Sequence, residues 1–142
     1  MSTKTVNILL VDDDTIDVMA VKRSFHDLKI VNPVIEAMDG VEGLEYLRGE
    51  NGRDKVQSPF LILLDLNMPR MNGFEFLEEL RSDEALHRSL VFVMTTSSAD
   101  EDRLRAYQLN VAGYVLKQHA GESFVEAISM LEHYWRVVEF PT

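Results

Sequence analysis

Two short apolar runs, each ending in acid, do most to limit what this chain can fold into. Ile8, Leu9, Leu10 and Val11 run straight into Asp12, Asp13 and Asp14, and the run from Phe60 to Leu64 meets Asp65. Such runs are too short to be buried helices. Strands apolar on both faces belong inside a parallel sheet that helices cover on both sides. Weaker runs of the same kind are Val34 to Ala37, Leu90 to Met94 and Gly113 to Leu116.

The segments between these runs carry helical spacing. Ile16 to Leu28 sets Val21, Phe25 and Leu28 on one face. Val41 to Leu47 predicts a short helix ended near Gly49, followed by Phe74 to Leu80 and Asp100 to Leu109. A fifth helix is predicted with Phe124, Ala127, Ile128, Leu131 and Trp135 along one face. Five β-α units in succession imply right-handed crossovers, hence an α/β three-layer sandwich around a five-stranded parallel sheet. A length of 142 residues suits one domain, and no repeat or linker divides it. The polar, glycine-broken stretch from Gly49 to Pro59 is read as a solvated loop.

Charge and composition exclude several roles. A formal charge of −10 disfavours nucleic acid and anionic membranes as partners. The apolar stretch near the N-terminus is too short for a signal peptide or a membrane span, so a cytoplasmic location is expected. The absence of cysteine removes thiolate chemistry. The histidines at 26, 87, 119 and 133 lack metal-ligand spacing, and no glycine-rich phosphate loop occurs.

In an open parallel sheet, ligands bind beyond the carboxyl ends of the strands, where Asp12, Asp13, Asp14 and Asp65 would gather. Asp14 is accounted for as a helix cap. The remaining acids repel one another and call for a cation, and Mg²⁺ suits hard carboxylate ligands. The fifth strand delivers Lys117 to the same edge, and the fourth delivers the hydroxyls of Thr95, Thr96, Ser97 and Ser98. A carboxylate nucleophile, a metal, a lysine and a hydroxyl are the parts needed to transfer a phosphoryl group to Asp.

The stretches Ile8–Asp14, Leu63–Gly73, Met94–Thr95 and Gly113–Lys117 resemble the receiver domains of bacterial two-component response regulators, in their order and spacing. The resemblance implies a flavodoxin-like sheet of order 2-1-3-4-5, with Asp65 as phosphoacceptor and Mg²⁺ as cofactor. It implies Asp13 as the main carboxylate ligand of Mg²⁺, Asp12 helping through water, and Asn67 lending a backbone carbonyl. Thr95 and Lys117 would meet the phosphoryl group, and Tyr114 would swing inward as Thr95 moves. Asn67 and Ser97 flank the site where the phosphoryl lifetime is set. The implied partner is a histidine kinase, and the protein would promote its own phosphorylation without being an enzyme in the turnover sense.

Two departures carry further expectations. Gln118 stands where the family usually has proline, so the Lys117–Gln118 peptide is expected to be trans. The tail from His133 to Pro141 resembles that of small regulators serving phytochrome kinases, so a stand-alone receiver without an output domain is expected. Its extension, about residues 134–142, carries Tyr134, Trp135, Val137, Val138 and Phe140. These read as an apolar surplus that either folds back over its own domain or, the reading favoured here, pairs two copies into a homodimer. A receiver-like adaptor that never switches and a metal-dependent phosphohydrolase are the rival functions.

Overall fold

The computed structural model describes residues 5–117 and 122–141, with side chains outside 122–127. Its elements run β1 (Asn7–Val11), α1 (Thr15–Asp27), β2 (Val34–Ala37), α2 (Gly40–Arg48) and β3 (Phe60–Leu64). They continue as α3 (Gly73–Ser82), β4 (Leu90–Thr95), α4 (Asp100–Gln108), β5 (Gly113–Leu116) and α5 (Glu122–Val137). The strands form one parallel sheet in the order β2-β1-β3-β4-β5. This is the flavodoxin-like arrangement the motifs imply.

Local chemistry explains where the helices begin. Asp14 caps α1, its side chain accepting from the Ile16 and Asp17 amides. Asn72 and Glu75 form a reciprocal capping box that starts α3 ahead of Phe74, where the apolar pattern begins. Gly49 ends α2 in the left-handed conformation, at φ 67°, which favours glycine.

Alternation along the strands divides the core in two. Leu9, Val11, Ile62, Leu64, Val91 and Val93 pack with residues of α2, α3 and α4. Ile8, Leu10, Leu61, Leu63, Phe92 and Met94 face Val21 and Phe25 of α1 and Ile128, Leu131 and Trp135 of α5. The side chains of Phe124 and Ala127, and the Lys117–Gln118 peptide, lie outside the described residues.

Two local expectations need correction. The stretch after α2 is not wholly solvated. Val56 is buried in the α2/α3 core, and its amide donates to the Tyr46 carbonyl. The C-terminal aromatics are not an unused surplus either. α5 continues through Val137, which places Trp135 against Phe25 with ring centroids 5.8 Å apart. Tyr134 sits edge-on to Phe92, and Phe140 packs on the same core. The helix period carries these rings over the α1/α5 core before the chain leaves it.

Candidate functional site

The sheet register assembles the acids. Val11 pairs with Leu64, so Asp12 and Asp65 emerge side by side at the carboxyl ends of adjacent central strands. The two-residue period sends both toward the α1/α5 face, continuing Ile8–Leu10 and Leu61–Leu63. Lys117 continues Val115 of β5 onto that same face.

The result is a compact charge cluster. Asp12, Asp13 and Asp65 each offer a carboxylate oxygen, all within 4.8 Å of one another. Lys117 Nζ donates to Asp12 Oδ2 at 2.7 Å and to Asp17 Oδ2 at 2.8 Å, and stands 3.4 Å from Asp65 Oδ2. The Asp14 amide donates to Asp12 Oδ1 at 2.9 Å, and the Asn67 amide to Asp65 Oδ1 at 3.4 Å. Asp12, Asp65 and Lys117 are buried, while Asp13 is half-buried at the mouth.

Burial decides the electrostatics. It pushes the Asp12 carboxyl up to about 6, against hydrogen bonds from Lys117 and the Asp14 amide. It raises Asp65 as well, opposed mainly by the Lys117 charge. For Lys117 burial favours the neutral amine, but hydrogen bonds to Asp12 and Asp17 and the charges of Asp12 and Asp65 outweigh it. Its pKa rises above the ordinary lysine value. The ammonium therefore keeps its proton, while one lysine is too little positive charge for the acids around it. Three hard oxygen donors, short of cation and open at Asp13, fit Mg²⁺.

Thr95 and Tyr114 fall on the other face, with α4. Thr95 is fully buried, and its Oγ1 accepts from the Ser97 amide at 3.3 Å. The Tyr114 hydroxyl donates to the Ser97 carbonyl at 2.9 Å, and Ser97 Oγ donates to Asp102 Oδ2 at 2.6 Å. Thus Asp12, Asp13, Asp65 and Lys117 are brought together, whereas Thr95 and Tyr114 are tied to Ser97 of the β4–α4 loop.

Gly73 has a plain steric reason. A Cβ there would lie 2.5 Å from the Asp65 carbonyl oxygen and 2.7 Å from Leu66 Cα. Only glycine lets α3 begin against the backbone that carries Asp65. The residue the sequence reading missed is Asp17. An acid in a first helical turn is ordinary there, and only its position near the triple-Asp edge hinted at more.

Strand order, the acid triad and the buried lysine together define a receiver domain, and the chain belongs to the response regulator receiver family, whose model matches residues 8–129. Receiver domains are signalling phosphoacceptors. The chain is 34% identical over 128 residues to the probable methanogenesis regulatory protein FilR2 of Methanothrix harundinacea, covering 90% of this chain and 82% of that one. It is 31% identical over 128 residues to the response regulator Rcp1 of Synechocystis, covering 90% and 87% respectively. The crystal structure of the phosphorylated cyanobacterial phytochrome response regulator RcpA matches with TM-score 0.88 at 31% identity, covering 98% of this chain and all (100%) of that one. Among the described residues no helix is long and apolar enough to cross a membrane.

Proposed function

We propose that Asp65 is the phosphoacceptor of this receiver, phosphorylated by a histidine kinase with Mg²⁺ as cofactor. The observation that carries the reading is the triad of carboxylates within 4.8 Å, with one buried ammonium set among them. Asp13, Asp12 and Asp65 would hold the ion, joined by the Asn67 carbonyl, and when bound it supplies positive charge for the phosphoryl oxygens. An Asp65 carboxylate oxygen attacks phosphorus and forms the acyl phosphate. The bond from phosphorus to the donor's nitrogen or oxygen breaks, and its electron pair leaves with the donor. Lys117 meets the new negative charge, since its ammonium already lies 3.4 Å from Asp65 Oδ2. Thr95 then follows the phosphoryl group and Tyr114 follows Thr95, which alters the α4–β5 surface.

In this reading the protein promotes its own phosphorylation and dephosphorylation, with Asn67 and Ser97 beside the phosphoryl group. A phytochrome-type kinase in the cytoplasm is the proposed donor, supported by the near full-length likeness to RcpA. Nucleic acid has no part in it, given the charge of −10. Two copies would pair through α5. Because Trp135 is buried in its own core, the pairing rests on the exposed Met130 and Val137. A monomer in sedimentation at high micromolar concentration, phosphorylated or not, overturns the pairing.

Asp65→Asn tests the acceptor. It keeps the shape and removes the attacking charge, so incorporation of phosphate from acetyl phosphate with Mg²⁺ should disappear while the fold remains. Wild-type incorporation in this variant overturns the assignment.

A further inference from the structure

Asp17 makes a contact that helix-end electrostatics does not require. Its Oδ2 lies 2.8 Å from Lys117 Nζ, and Asp12 Oδ2 lies 2.7 Å from the same nitrogen. An ammonium has three donors. Two are committed to Asp12 and Asp17, and Asp65 Oδ2, at 3.4 Å, lies beyond the usual hydrogen-bond range. The lysine is therefore held unequally, close to β1 and α1 and at a stand-off from Asp65.

We propose that Asp17 is a positioning residue that holds the Lys117 ammonium off Asp65, leaving the Asp65 carboxylate to a divalent cation and the incoming phosphoryl group. The inference rests on the Asp65 reading above. An ammonium and a divalent cation compete for the same carboxylate oxygens. A lysine closed on Asp65 neutralises the charge the cation needs, whereas one shared with α1 does not. Asp17 suits this role because it is partly exposed and lies outside the acid triad. It can hold one lysine N–H without occupying the cation's place. Phosphoryl oxygens on Asp65 would give Lys117 a stronger partner and draw it across.

Asp14 supplies a matched control. It stands at the same end of α1, exposed, and its carboxylate caps the Ile16 and Asp17 amides. Asparagine caps a helix equally well. Asp14→Asn therefore removes the same charge from the same helix end without removing a partner of Lys117.

The experiment titrates the full chain with Mg²⁺ alone, reading its dissociation constant and the ¹³Cε NMR signal of Lys117 in the metal-free protein. Asp17→Asn should weaken Mg²⁺ binding by about three- to tenfold and shift the Lys117 signal, the size expected for moving one nearby charge-assisted bond. Asp17→Ser, which lacks a carboxylate, should behave the same way. Asp14→Asn should change the affinity by less than about twofold, as for a solvated charge, and leave the signal in place. Equal effects at positions 14 and 17, or an unmoved Lys117 signal in Asp17→Asn, overturn the inference. A wild type that does not respond to Mg²⁺ overturns the underlying function and the inference with it.

Discussion

On the α1/α5 face, Asp12, Asp65 and Lys117 are buried, and α1 anchors itself through Val18, Val21, Ser24 and Phe25. On the opposite face, Thr95 and Tyr114 adjoin α4, which buries only Ala106 among its nine residues. The helix starts differ as well. Asp14 caps α1 with its own carboxylate, while Ala99 gives α4 no side-chain cap. Leu104 and Tyr107 of α4 are exposed. Few buried apolar contacts and a weak start are the marks of an element that moves at low cost. The acids and Lys117 thus sit beside a well-anchored helix, and the proposed switch residues sit beside a weakly anchored one.

The largest expected contrast between the faces is in stability. Trp135→Ala removes a buried ring packed on Phe25 and should cost about 3–5 kcal/mol. Leu104→Ala on α4 should cost no more than about 0.5 kcal/mol, because little is buried there. Urea denaturation of both variants measures the difference, and similar losses would erase the contrast.

That contrast was only half legible in the sequence. The continuous apolar strands with acid at their ends placed Asp12, Asp13 and Asp65 together, since strand register and the parallel crossover leave little choice. Lys117 followed from the same logic at the end of the fifth run. Asp17 did not, because its meaning comes from one contact that spans 100 residues of sequence. What covers the Trp135 ring was misjudged for a related reason. Helical spacing reached Trp135, but an apolar ring near a chain end looks the same whether its own core or a second copy covers it. Val56 was hidden among polar neighbours, where periodicity has nothing to count.

Smaller, and confined to the acid side, is the effect of pH. Burial raises Asp12 to about 6, so without metal the folded chain holds this proton more tightly than the unfolded chain does. The stabilisation from Asp12 is fully present below its unfolded pKa of about 3.9 and is lost as pH rises through about 6. Mg²⁺ binding at the proposed site would have the opposite slope, because it needs the carboxylate. Its affinity should fall by up to about tenfold per pH unit below that point. Melting curves with and without Mg²⁺ across this range should converge at the acid end. Equal Mg²⁺ stabilisation at about pH 5 and pH 7 would contradict the burial argument.

The proposed division between a fixed charged face and a responsive neighbour is tested most directly by backbone NMR of the protein before and after phosphorylation with acetyl phosphate and Mg²⁺. Beyond the residues next to Asp65, the largest shifts should fall on Ser97, Ala99, Leu104 and Tyr114, while Phe25, Leu131 and Trp135 stay in place. Shifts limited to the immediate surroundings of Asp65, or spread equally through α1 and α5, would contradict the account.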